Sequence, residues 1–447
     1  MRYNRILHAL PLLATAWLMA SCTFEQEDYF EESASLRVEH AIDDIQSKLV
    51  AGSSEGQNGW LIQYFVSGTE DYDFEGFNLF GKFYDNGKVV LSGNHRYLRN
   101  GLANTFTSAE SSYQMLKDEG PMIAFNTWND VLTVFVDPVD PSLAPAEIRA
   151  DGLGMLGDQN LVVLSYNDTL IETRGERYSS SVRFVKLNCT PQEYIEKTAA
   201  KKAEFCGEGY DDYYLINGRD TMYLTGLNKG YFYFVDRLND PLTIASANCV
   251  FTPEGFHMQK MMRVLGDSVQ NFRISDDKTC LKAVESDVRL EALWNRNIAA
   301  STDIFNLTSL TEQQQLIFDK LADIIQGINP EWTLESIGIG QSTGGEFVNG
   351  LICTIKTPAT LEKTIGMSLD KKSVSGSKMI LTEPDEFEYD INLGIVDDMT
   401  SADVKLLLHQ FAETLYGTYS ITPDNYFMPQ AFVLTNDGDG STLNFSK

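Results

Sequence analysis

The sequence predicts a mainly β chain with a few helices (α+β). Antiparallel meanders would form barrel- or sandwich-like domains, with a lipocalin-like barrel as one form, and a C-terminal α+β segment would follow. Two observations predict this. Short runs rich in Val, Ile, Phe and Tyr recur at near-regular intervals with turn residues between them. Helical periodicity is confined to a few stretches that stand apart from those runs.

In chain order, Leu36, Ile42, Ile45 and Leu49 fall at helical spacing, and Gly52 sits where such a helix would stop. The period then changes to that of strands. Residues 60–66 are a β-type run; Phe77, Leu79, Gly81 and Phe83 alternate into Asp85-Asn86-Gly87, which turns the chain into 89–91. Asn-Gly is a strong hairpin signal because it tolerates the positive φ of tight turns. Residues 122–125 and 131–136 read as a further strand pair around a loop with Trp128, and 161–164 and 182–187 complete the set. Thr190-Pro191-Gln192-Glu193 has the pattern of a capping box with Pro at the first helical position, opening a helix to about Phe205. A second meander follows, with strands at 231–235, 248–251, 256–258 and 272–274 and a turn at Thr252-Pro253-Glu254-Gly255. Ser309-Leu310-Thr311-Glu312 reads as another capping box, ahead of a helix with Leu316, Ile317, Leu321, Ile324 and Ile325 inward. A last helix, 400–416, carries the stripe Val404, Leu407, Leu408, Phe411 and Leu415. The expected organisation is a signal peptide at 1–21, a tether at 22–34, a first β domain with its helix at 35–189, a connecting helix and second meander at 190–300, and the C-terminal segment at 301–447.

The N-terminus carries Arg2 and Arg5, an apolar run and then Leu18-Met19-Ala20-Ser21-Cys22. That is the charged, apolar and small-residue order of a secretion signal, too short to span a bilayer. It resembles the lipobox of bacterial lipoproteins, so Cys22 is the expected lipidation site and the N-terminal lipid the expected link to a membrane. The acidic stretch after Cys22 resembles a surface-export signal of Bacteroidota-type lipoproteins; a solvated spacer on the periplasmic face is the alternative. Removing 1–21 takes away two positive charges, so the net charge of −28 becomes −30. This balance argues against nucleic acid as a partner, since that wants a basic patch, and none is expected. Cys189, Cys206, Cys249, Cys280 and Cys353 form an odd, widely spaced set without CxxC. They read as buried small hydrophobes, with room for one bridge.

Catalytic and metal signatures are lacking. After the signal segment the histidines His40, His95, His257 and His409 are isolated, with no HExxH and no i, i+4 pair, so no metal and no cofactor is expected. No GxSxG elbow occurs. Asp437-Gly438-Asp439-Gly440 lacks the later Glu of an EF-hand loop and reads as an acidic turn. The glycines of Asp151-Gly152-Leu153-Gly154-Met155-Leu156-Gly157 read as turns for want of a Lys-Ser/Thr ending. Aromatic residues make up 11% of the chain, and rings in loops, Trp128 and Tyr97 foremost, are the candidate ligand-stacking residues.

The run Phe77-Asn78-Leu79-Phe80-Gly81-Lys82-Phe83 through Asp85-Asn86-Gly87, with Ser111-Ser112-Tyr113 and Gly120-Pro121-Met122-Ile123-Ala124-Phe125-Asn126, resembles a known family. It is that of the Bacteroidota lipoproteins catalogued as domain of unknown function 4302, which Thr252-Pro253-Glu254-Gly255-Phe256 also resembles. The resemblance spans the first two thirds of the chain and brings no catalytic residue with it. It implies a place beside outer-membrane transporter and lipoprotein pairs of the nutrient-uptake type, some with metallopeptidase neighbours. The functional expectation is a non-enzymatic, outer-membrane lipoprotein exposed at the cell surface, binding a glycan or peptide as an accessory of an uptake or protease system. A lipocalin-like carrier of a small apolar ligand and a hydrolase with an unrecognised site are the alternatives.

Overall fold

The computed structural model describes residues 32–447 apart from 68–73, 99–100, 119, 137–154, 238–241, 343–347, 360–361, 375–376, 392 and 395–397. The signal segment, Cys22, most of the tether and Asp151 to Gly154 lie outside the described residues.

Helix α1 (Ala34–Ser53) starts where Ser33 accepts a hydrogen bond from the Leu36 amide. It runs one residue past Gly52, the expected stop. The reason for glycine there is a close approach: a Cβ would lie 2.6 Å from the indole nitrogen of Trp60, which donates to the Leu49 carbonyl at 3.0 Å.

Eight strands follow: β1 (Trp60–Phe65), β2 (Phe77–Phe83), β3 (Lys88–Gly93), β4 (Thr107–Lys117), β5 (Pro121–Phe125), β6 (Asn160–Tyr166), β7 (Leu170–Gly175) and β8 (Ser181–Lys186). Each pairs antiparallel with the next, and β8 closes on β1 with Ile62 opposite Phe184. Strand alternation sends Ile62, Tyr64, Val182 and Phe184 inward and leaves Leu61, Gln63, Arg183 and Val185 on the outer wall. The interior is packed with side chains, as in small barrels generally. Phe77 meets Phe135 at 4.5 Å between ring centroids, and Phe83 meets Tyr113 at 5.0 Å. Residues 131–136, expected as a strand, instead form a turn with a 3-10 segment at Thr133–Phe135. Asn129 causes the bend: its side chain accepts from the Val131 amide, and its own amide donates to the Thr133 hydroxyl. The run Val131, Leu132, Val134 and Phe135 therefore joins the barrel core as a plug. Asp158 fastens the β7–β8 connection by accepting from the amides of Arg177, Tyr178 and Ser180.

Helix α2 (Pro191–Phe205) has the expected capping box, with Thr190 and Glu193 bonding each other's backbone amides. A second closed barrel follows, from β9 (Tyr213–Asn217), β10 (Asp220–Thr225), β11 (Tyr231–Val235), β12 (Thr243–Thr252), β13 (Gly255–Val264), β14 (Asp267–Ile274), β15 (Leu281–Ala283) and β16 (Arg289–Ala292). Consecutive strands pair, and β16 returns to β9. Phe232, Phe256 and Phe272 fill its centre.

The C-terminal unit holds α3 (Trp294–Ala300), β17 (Phe305–Leu307), α4 (Glu312–Ile328), β18 (Thr333–Gln341), β19 (Asn349–Lys356), β20 (Lys363–Ser368), β21 (Asp370–Val374), β22 (Lys378–Thr382), β23 (Tyr389–Ile391), α5 (Asp398–Glu413), β24 (Gly417–Pro423), β25 (Ala431–Asn436) and β26 (Thr442–Ser446). The strands make one sheet in the order β21-β22-β24-β25-β26-β17-β18-β19-β20-β23. Only Leu369 separates β20 from β21, yet they stand near opposite edges. Because one residue spans only about 3.5 Å, the sheet must curl until the two sides meet at that corner. Helices α4 and α5 share the resulting core through Ile317, Leu321 and Ile325 and through Val404, Leu408 and Phe411. The cap of α4 lies two residues later than expected, with Thr311 and Gln314 forming the reciprocal box in place of Ser309 and Glu312.

The architecture is thus mainly antiparallel β, with two closed eight-stranded barrels ahead of a curled ten-stranded sheet. All five described cysteines are free thiols, so the bridge allowed by the sequence is not formed; all but Cys189 are buried.

Candidate functional site

The outer walls of the two barrels meet along a seam covered by α2. Alternation decides which residues reach it. In β13 and β14, Phe256, Met258 and Phe272 point into the second barrel, so the paired residues His257 and Asn271 face outward, toward the first. In β8 the same rule turns Arg183 outward between Val182 and Phe184. Close approach is permitted at Gly76, where a Cβ would lie 2.4 Å from the Phe65 ring and 2.5 Å from Val250. The Gly76 amide donates to the Cys249 carbonyl at 3.1 Å, and Asn78 donates through Nδ2 to the Phe251 carbonyl at 2.8 Å.

A hydrogen-bonded relay crosses the seam. Nη1 of Arg183 donates to Oε1 of Gln63 at 3.1 Å and lies 2.6 Å from Nε2 of His257. Arginine can only donate, so Nε2 accepts and the ring carries its proton on Nδ1, which donates to Oδ1 of Asn271 at 2.7 Å. Asn271 in turn donates to the Glu285 carboxylate. Burial, with the Arg183 charge beside it, pushes the His257 pKa down to about 4, so the ring is neutral at ordinary pH. Its lone pair is occupied by Arg183, which leaves it no free atom for proton transfer to a ligand.

Two clefts flank this contact. The first, about 470 Å³, lies between Gln63, Arg183 and Val185 of one barrel, His257 and Arg273 of the other, and Tyr194 of α2. The second, about 390 Å³, is bordered by Glu75, Arg96 and Lys202. Each of its cations has a partner: Arg96 pairs with Glu75 at 3.2 Å, and Lys202 donates to the Asn228 carbonyl while sitting 4.4 Å over the Phe251 ring. A third cleft of about 480 Å³ separates the second barrel from the C-terminal unit and is lined by Tyr214, Tyr223, Trp294 and Tyr426.

The residues singled out from sequence fare differently. Trp128 is 48% exposed, and its indole donates to Asp130 at 2.7 Å. Tyr97, expected to be an exposed stacking ring, is 7% exposed and packs edge-on against Phe77 at 5.8 Å, because its loop folds over the end of the barrel. The two rings thus have different partners and form no joint platform. His95 is buried in the same barrel end; its Nε2 bonds the Val131 carbonyl, and burial lowers its pKa to about 4. The Asp437 to Gly440 turn joins β25 to β26, with Asp437 held by Lys378 at 2.7 Å and by Ser420. Among the described residues no group of three or more His, Cys, Asp and Glu could hold a metal. Sequence reasoning missed the seam residues Arg183 and Asn271. The signal available was a charged residue inside an alternating apolar strand, which marks the outer wall without naming what covers it.

The family model described as Domain of unknown function (DUF4302) matches residues 26–276, more than half of the 447. The chain belongs to this family. The matched region includes the first barrel, α2, the seam and the second barrel as far as β14. No curated protein matches. One solved structure, the DNA polymerase III beta chain from Streptococcus pneumoniae TIGR4, aligns at 7% identity over 92% of this chain and 97% of its own. Its TM-score of 0.12 is too low to bear on the fold.

Proposed function

We propose that this protein is a lipid-anchored, non-catalytic binding lipoprotein of the outer membrane, facing the cell surface, whose ligand sits in the first seam cleft. It would serve an uptake or protease system as an accessory, with the lipid on Cys22 as its hold on the membrane and a transporter or second lipoprotein as its partner. The observation that carries the binding reading is the cleft itself: a concavity of about 470 Å³, within the size range of small-ligand sites, walled by three elements and bordered by fixed polar groups. His257 at its floor has both nitrogens engaged, which favours binding over proton transfer. The packed interior of the first barrel, where Phe77, Leu79 and Phe125 are buried against one another's neighbours, weighs against the lipocalin-like carrier.

Three experiments test this reading. Cys22→Ser should release the protein from the membrane fraction, and protease added to intact cells should remove the wild type while a periplasmic control survives. Retention after Cys22→Ser would sink the anchor; protection of the wild type would move it to the periplasmic face. The soluble ectodomain should bind members of a glycan or short-peptide array, and Asn188→Trp, at an exposed rim position, should abolish that binding. Binding indifferent to Asn188→Trp would place the ligand elsewhere.

A further inference from the structure

Charge distinguishes the first seam cleft from the rest of the molecule. The chain carries a net charge of −28, yet this cleft is bordered by four cationic side chains, Arg183, Lys186, Lys197 and Arg273, against one carboxylate, Glu254. Glu254 engages Arg273 at 2.7 Å, and Glu172 approaches Nε of Arg183 at 3.7 Å without a hydrogen bond. That Nε is buried and has no hydrogen-bond partner. Lys186 and Lys197 are exposed and, among the described residues, have no carboxylate within 4.0 Å. Beside these cations the lining is apolar: Leu61 and Leu187 pack with Tyr194, whose ring stands edge-on to Phe80 at 5.8 Å. In the second cleft Arg96 pairs with Glu75 and Lys202 donates to the Asn228 carbonyl.

We propose that the first seam cleft binds a small organic oxyanion, its carboxylate or phosphate set among Lys186, Lys197 and Arg183 and its apolar or ring body against Leu61 and Tyr194. The assignment rests on the cleft being the binding site and adds the chemistry of what enters it. Cations from β8, α2 and β14 converge there, those of Lys186 and Lys197 without a carboxylate within 4.0 Å among the described residues, and a low-dielectric wall beside them strengthens the field that a ligand anion meets. Guanidinium and ammonium groups hold oxyanions by charge-assisted hydrogen bonds. An acidic surface elsewhere repels the same anion, so the cleft is the favourable place for it on a molecule that otherwise rejects it.

Matched probes test the assignment on the soluble ectodomain: benzoate against benzamide, phenyl phosphate against phenol, and glucuronate against methyl glucoside, followed by calorimetry and thermal shift. The charged member of at least one pair should bind and its neutral partner should not, and the pair that responds tells carboxylate from phosphate. Lys186→Gln with Lys197→Gln, both at exposed positions, should weaken binding by roughly tenfold, about 1.4 kcal/mol. Glu254→Gln, which frees Arg273, should tighten it severalfold. Equal binding of charged and neutral partners, both abolished by Asn188→Trp, would overturn the oxyanion assignment and leave the cleft as the site. Charged-probe binding unchanged by the lysine pair overturns it too, since the anion then sits elsewhere. If no charged probe binds, the assignment also fails, whereas the cleft reading is decided separately by the array and Asn188→Trp.

Discussion

Lys371 shows what burial does to a single side chain. Its stem is partly at the surface of β21, but its Nζ is enclosed and without a hydrogen-bond partner, and burial lowers its pKa from the ordinary 10.5 to about 7. Between those two pH values the unfolded chain binds a proton that the folded chain does not, so this group makes stability rise with pH across that window; below about pH 7 the cost of the buried charge is constant. Lys371→Met should therefore raise the melting temperature at pH 7, by about 2–4 °C for each kcal/mol relieved. The gap between variant and wild type should narrow as pH climbs toward 10.5. A gap of equal size across that range would show that the amine is not the cause. The thiols follow the same physics: burial pushes Cys206 up to about 12, so it stays protonated and unreactive.

Among the elements, α2 carries the most structural consequence for its length. It begins on a reciprocal box between Thr190 and Glu193, with Pro191 in its first turn, and it presents Tyr194 to one barrel and Lys202 to the other. Thr190→Ala removes the acceptor for the Glu193 amide and should cost about 1 kcal/mol, measured by urea melts, with Ser restoring most of it. Because Thr190 sits beside the first cleft and outside its lining, ligand affinity should stay within about twofold of wild type; a larger loss would mean that the helix position itself sets the cleft. The box was legible in four residues because capping is local. The strand expected at 131–136 was misread for the same kind of reason: its apolar run fits a strand, but the Asn129 bend and the open end of a barrel decide where it goes.

At the scale of the molecule, the C-terminal unit supports the second barrel. Phe427, in the β24–β25 connection, is 2% exposed, belongs to the core of the second barrel and faces Phe205 at 6.3 Å. Phe427→Ala should destabilise the chain by about 3 kcal/mol, lowering the melting temperature and exposing apolar surface to a dye such as ANS. An unchanged melt would show the two units to be energetically independent. Closed barrels have no free strand edges, which protects the two rings from edge pairing.

The local part of this fold was legible in the sequence. Alternation marked strands such as 77–83, Asn86-Gly87 marked the hairpin between β2 and β3, and Thr190-Pro191 marked a helix start. These depend on interactions within a few residues, and so did the resemblance carried by the same strands. Long-range packing closes β8 on β1, covers Tyr97 and brings Arg183 to His257 across 74 residues of chain. Strand alternation sets the side of the wall on which a residue stands. Which surface lies opposite depends on how two closed barrels dock, and that is settled by packing between segments distant in the chain.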